Sequence, residues 1–103
     1  MNVLDMFRLD GRVAIVTGAG GNPGLGRSHA MLLAERGARV LVNDLGREPL
    51  GSDRMPASAA AVAAEINAAG GEALANTDNV ADEASAQGIV LQALDAWGRV
   101  DIL

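Results

Sequence analysis

The chain contains no cysteine, no lysine and no tyrosine, and it has a single tryptophan, phenylalanine and histidine among 103 residues. Without cysteine there is no disulfide framework, no thiolate zinc site and no cysteine nucleophile, which fits a reducing compartment and an expected cytoplasmic location. The eight basic residues are all arginines scattered singly against thirteen acidic residues, for a net charge of −5, so a nucleic-acid partner is not expected. No stretch reaches the roughly 18 apolar residues of a membrane span. The opening Met1-Asn-Val-Leu-Asp-Met-Phe-Arg8 carries an acidic residue and lacks the basic-then-apolar layout of a secretory signal. The acidic residues are dispersed without metal-ligand spacing, so no metal site is expected either.

Half of the residues are hydrophobic, enough for one domain with a core. Val13-Ala-Ile-Val16 is an uninterrupted apolar run suited to a central parallel strand buried on both faces. It leads into a turn carrying Gly18, Gly20, Gly21, Gly24 and Gly26, which are expected to supply backbone freedom and to let a pyrophosphate approach the main chain. A helix over 25–36, stopped by Gly37, would present its positive end to that pyrophosphate. Arg39-Val-Leu-Val-Asn43 then forms a second apolar strand, ending at Asp44, eighteen residues after Gly26. A carboxylate there can accept hydrogen bonds from both hydroxyls of an adenosine ribose and would repel a 2′-phosphate, so NAD is expected over NADP. Arg47 is the one neighbour that could soften this preference, unless it is simply a solvated loop charge.

Two prolines and two glycines make the stretch after Asp44 a loop of about a dozen residues. An alanine-rich helix is expected over 57–69, with Val62, Ile66 and Ala69 on one face and Gly70-Gly71 as its stop. A weak third strand covers 72–76. Asp82 reads as an N-cap, and Ala86, Ile89, Val90, Ala93, Leu94 and Trp97 give one broad apolar face on a third helix closed by Gly98. Residues 99–103 begin a fourth strand. Strands alternating with helices imply an α/β fold: a Rossmann-type, doubly wound parallel sheet of order 3-2-1-4, reaching only the start of its fourth strand. The nucleotide would lie over the carboxyl ends of the strands.

With these residues assembled, the chain resembles the short-chain dehydrogenase/reductase family over its whole length. Leu9-Asp-Gly-Arg-Val-Ala-Ile-Val-Thr-Gly-Ala-Gly20 looks like the family's opening strand and Thr-Gly turn, and Trp97-Gly-Arg-Val-Asp-Ile-Leu103 like the lead-in to its fourth strand. Asp78-Asn79-Val80 is similar to its adenine-contacting segment. Gly24-Leu-Gly-Arg27, Val42-Asn-Asp-Leu-Gly46 and the run from Gly70 to Val80 narrow the resemblance to the (3R)-hydroxyacyl-CoA dehydrogenase domains of peroxisomal multifunctional enzymes and their bacterial relatives. The resemblance implies cofactor binding by Gly18, Gly20, Gly24, Leu25 (through its amide), Gly26, Asp44, Leu45, Asp78, Asn79 and Val80. It also implies a hydroxyacyl-CoA or hydroxysteroid substrate and a homo-oligomeric parent enzyme. One departure lies in the turn: five residues separate Gly18 from Gly24 where the family has three. Asn22-Pro23 looks like the enlargement, and Pro23 brings no N–H to a phosphate nest.

No catalytic residue is expected within these 103 residues. The family's Asn-Asn-Ala-Gly turn, serine and Tyr-x-x-x-Lys pair are missing, and a chain without tyrosine or lysine cannot build that acid/base pair. His29 reads as a structural helix residue, and Ser28, Ser52, Ser58 and Ser85 have no Gly-x-Ser-x-Gly setting. The leading expectation is therefore the NAD-binding, N-terminal part of an oxidoreductase, inactive and marginally stable or self-associating when alone. A non-catalytic nucleotide module and an S-adenosylmethionine-dependent methyltransferase remain as alternatives, while a P-loop enzyme is excluded by the absence of Gly-Lys-Ser/Thr.

Overall fold

A computed structural model of the chain describes residues 6–46 and 57–103. Six elements follow one another: β1 (Val13–Val16), α1 (Leu25–Glu35), β2 (Arg39–Asn43), α2 (Ala59–Ala68), β3 (Glu72–Asn76) and α3 (Glu83–Trp97). The strands form one parallel sheet with β2 in the middle, and the register sets Val13 opposite Arg39 and Arg39 opposite Glu72. Arg47 and Ser52 lie outside the described residues, as does most of the loop after Asp44.

Strand side chains alternate between two faces, and each face meets its own helices. Ala14, Val40, Val42 and Ala73 pack with Ala30 of α1 and with Ala59, Val62, Ala63 and Ile66 of α2. Val13, Ile15 and Leu41 face Ile89 and Ala93 of α3, with Trp97 and Val100 at the border. Ile15, Leu41 and Ile66 are the largest fully buried side chains, each contributing about 1.5–3 kcal/mol by burial. For β1 and β2, covered faces on both sides explain why they read as apolar runs rather than as alternation.

Two expectations need correction. Ala69 is exposed and caps α2 rather than facing the core. Val90 and Leu94 are exposed too, because α3 packs on β1 and only Ile89 and Ala93 reach the sheet fully. The expected start of a fourth strand is present as a parallel bridge between Ile102 and Ala14, which places it beside β1. Its lead-in is also held by side chains: Asp101 accepts the Val13 N–H at 2.8 Å and pairs with Arg99 at 2.6 Å. Gly98, at φ +77, ends α3 in a left-handed conformation suited to glycine.

Candidate functional site

The carboxyl ends of the three strands are joined into a row. The Ala19 N–H donates to the Asn43 carbonyl at 2.9 Å, and the Asp44 N–H donates to the Asn76 carbonyl at 3.0 Å. Everything the sequence points to lies along this row or in the turn above it.

In that turn only Gly18 adopts a positive φ, at +63°. Of the two reasons expected for these glycines, backbone freedom applies to Gly18, whereas at Gly20, Gly24 and Gly26 it is the lack of a Cβ that matters. A Cβ on Gly26 would lie 2.6 Å from the Gly18 carbonyl oxygen, so α1 packs directly against the turn. A Cβ on Gly20 would lie 2.8 Å from Asp44 Cβ and from the Ser58 backbone. At Gly24 the nearest atom would be the Gly21 carbonyl oxygen at 3.0 Å, while Gly21 itself has ordinary room. Asn22 and Pro23, joined by a cis peptide, are exposed.

Gly24 is the N-cap of α1 and offers no side-chain acceptor, and the first turn of the helix has no acidic residue. The first hydrogen bond of the helix is Ser28 N–H to the Gly24 carbonyl at 3.1 Å. The N–H groups of Leu25, Gly26 and Arg27 precede it and have no intrahelical partner. The Leu25 side chain is itself exposed. Arg27 forms an ion pair with Glu65 that ties α1 to α2.

Asp44 is half-buried at the end of β2. Its Oδ2 accepts the Gly20 N–H at 2.9 Å and its Oδ1 accepts the Gly46 N–H at 2.8 Å. Its carboxylate thus shapes the glycine turn as well as standing at the strand end. Leu45, next along, is exposed.

Below Asp78 lies a polar network that motif reading missed. Asn43 and Asn76 are 2% and 6% exposed, register partners at the ends of adjacent strands. Asn43 Nδ2 donates to Asn76 Oδ1 at 2.8 Å and to the Asp78 carbonyl at 2.9 Å. Asn76 Nδ2 donates to Asp78 Oδ2 at 2.9 Å and to Gln92 Oε1 at 2.8 Å. The Asp78 N–H donates to Asn76 Oδ1 at 2.8 Å. Asn79 Oδ1 accepts the Ala81 N–H at 2.9 Å, and Val80 is exposed. The signal for this network was in the sequence: an asparagine closes each of these two strands directly after a run of three apolar residues.

A family model of the short chain dehydrogenases matches residues 12–103. The chain belongs to this family. This short-chain dehydrogenase chain is 52% identical over 97 residues to the peroxisomal multifunctional enzyme type 2 of Drosophila melanogaster, covering 94% of the chain and 15% of that protein. The mouse enzyme of the same name is 49% identical over 97 residues, with 94% and 12% covered. Among solved structures, a short chain dehydrogenase from Mycobacterium avium matches at 51% identity and a TM-score of 0.76, covering 90% of this chain and 32% of that one. A 7α-hydroxysteroid dehydrogenase complexed with NADH and 7-oxo glycochenodeoxycholic acid matches at 34% identity and a TM-score of 0.81, with 99% and 36% covered. The chain thus spans between about an eighth and a third of the length of these relatives.

Two hollows in the structure are not lined by these site residues. One of about 630 Å³ sits at the opposite, amino end of the strands, between Arg8, Met31, Arg39, Ile66 and Glu72. The other, about 410 Å³, is an apolar groove along β1 and α1, bordered by Thr17, His29, Leu32 and Leu103. His29 is exposed on α1. Among the described residues no group of three His, Cys, Asp or Glu side chains is arranged to hold a metal ion. No described helix is long and apolar enough to cross a membrane.

Proposed function

We propose that the protein binds NAD along the carboxyl ends of β1–β3 and belongs to an oxidoreductase that moves hydride between the nicotinamide and an alcohol or ketone. The observation that carries this reading is the joined row of strand ends. It brings together an uncapped helix start, a carboxylate with spare acceptor capacity and the segment from Asp78 to Val80.

The residues suit the parts of the dinucleotide. The N–H groups of Leu25 and Gly26, without intrahelical partners at the positive end of α1 and above the tight packing at Gly20, Gly24 and Gly26, suit the pyrophosphate. Each Asp44 oxygen accepts one backbone N–H, and a carboxylate has about four acceptor sites, so capacity remains for both ribose hydroxyls. Asp78 Oδ1 has no hydrogen-bond partner among the described residues, which suits the amino group of an adenine bordered by Leu45, Asn79 and Val80. When bound, NAD supplies the hydride acceptor, and these residues hold and orient it.

The substrate we propose is a hydroxyacyl-CoA or a hydroxysteroid, in keeping with the relatives named above. With neither tyrosine nor lysine, the 103 residues are proposed to bind cofactor without turnover, in the cytoplasm, within a larger homo-oligomeric enzyme.

Isothermal calorimetry with NAD, NADP and S-adenosylmethionine tests the reading. NAD is expected to bind best, and Asp44→Ser should lower the NAD-over-NADP preference by about tenfold or more, about 1.4 kcal/mol. Binding of S-adenosylmethionine instead of NAD would reject the dinucleotide reading. An unchanged preference in Asp44→Ser would reject the ribose assignment alone.

A further inference from the structure

We infer that α3, which lies outside the row of strand ends, sets the adenine edge of the site: Gly88 and Gln92 act as positioning residues for Asp78. This deepens the nucleotide reading proposed above and rests on it. The two residues lie four apart in α3 and therefore on one face. At Gly88 a Cβ would lie 3.2 Å from Asp78 Oδ2, so the missing side chain lets the carboxylate rest against the helix. At Gln92 both ends of the amide are used. Oε1 accepts from Asn76 Nδ2 at 2.8 Å, and Nε2 donates to the Ala75 carbonyl at 3.1 Å.

With Gln92 in place, Asn76 has one satisfactory orientation. Its oxygen accepts from Asn43 and from the Asp78 N–H, and its nitrogen donates to Asp78 Oδ2 and Gln92, which fills the capacity of an amide. A flipped Asn76 would set oxygen against two oxygens and nitrogen against two donors. Because the residue is 6% exposed, water cannot relieve that mismatch. Gln92 thus helps to fix Asn76, Asn76 holds the main chain and Oδ2 of Asp78, and Oδ1 is left as an acceptor in a defined place. Such an acceptor favours a base carrying an amino donor over one carrying a carbonyl at the same position.

The test compares calorimetric affinities for NAD and for its hypoxanthine analogue, in which the amino group of the base is replaced by a carbonyl. The protein should prefer NAD. Gln92→Met should lower that preference by about three- to tenfold, the worth of one or two hydrogen bonds. Gly88→Ala should lower it in the same direction, because the new Cβ displaces Asp78 Oδ2 by a few tenths of an ångström. The thermal midpoint should not fall, since alanine is the better helix former. A purely structural glycine would raise the midpoint and leave the base preference unchanged, and that result overturns the proposal. If the unaltered protein binds NAD and both variants keep its preference, the role of α3 is wrong while the nucleotide reading stands. If the unaltered protein does not bind NAD, the nucleotide reading itself is wrong, and the role of α3 goes with it.

Discussion

The two ends of the sheet treat their carboxylates differently. At the amino ends of the strands, carboxylates are matched with arginines: Arg39 with Glu72 at 2.9 Å, Arg8 with Asp10 at 2.7 Å, and Arg99 with Asp101 at 2.6 Å. At the carboxyl ends, Asp44 is held by two backbone N–H groups and Asp78 by the Asn76 amide, with no arginine on either among the described residues. An arginine fork occupies both oxygens and cancels the charge, whereas single N–H donors position a carboxylate and leave acceptor sites free. At one end the carboxylates are paired with arginines, and at the other they keep acceptor sites free.

The helix starts at the carboxyl ends of the strands sharpen the contrast. α2 is capped by Ser58 Oγ, which accepts the Ala61 N–H at 3.0 Å, and α3 by Asp82, which accepts the Ser85 N–H at 3.0 Å. α1 alone has a glycine cap with no side-chain acceptor. It is located instead by packing, through Gly26 against Gly18. The largest effect should therefore come from Gly26→Ala, whose Cβ would meet backbone at 2.6 Å and 2.9 Å with no flexible side chain to give way. We expect a loss of about 2–3 kcal/mol in urea denaturation together with loss of NAD binding. A variant with the original midpoint and affinity would mean that α1 is not fixed by this contact.

Next in size is Ser58→Ala. Removing the cap should cost about 1 kcal/mol, read from the urea midpoint. NAD affinity should be retained, because Gly20 is held by the Ser58 main-chain N–H, which donates to the Gly20 carbonyl at 2.9 Å. A fall in affinity larger than the fall in stability explains would show that capped and uncapped starts do not divide the labour as the contrast implies.

Much of this arrangement was legible before the structure. β1, β2 and β3 have the bounds the sequence leads one to expect, because the apolar runs of β1 and β2, covered on both faces, carry their burial in plain view. Asp44 was legible as the first polar side chain past such a strand and the glycine turn. Why Gly20 and Gly26 are glycines was not, since the reason lies in Ser58 and Gly18, atoms that only the fold brings near. Gln92 was hidden for the same cause. It stands in a helix whose pattern is read from apolar residues, and its partners Ala75 and Asn76 are 17 and 16 residues away in sequence. The exposed Val90 and Leu94 show the reverse limit, because periodicity marks an apolar face without showing how much of it the sheet reaches.

The smallest effect should lie at the amino ends of the strands and be visible as a pH dependence. Asp101 is held at a pKa of about 2, below the ordinary 3.8, first by its hydrogen bond from Arg99 and then by the Val13 N–H. A carboxyl whose folded pKa is depressed adds stability in full above its unfolded value and loses it as pH falls through the folded one. Its contribution should therefore be complete above pH 3.8 and disappear as pH falls toward about 2. Asp101→Asn should flatten the acid limb of the stability curve in that window and lower stability slightly at neutral pH, with no change in NAD affinity. An acid limb as steep as in the unaltered protein would mean that the arginine contacts at this end do not stabilise the fold. A change in NAD affinity would mean that the two ends of the sheet are coupled.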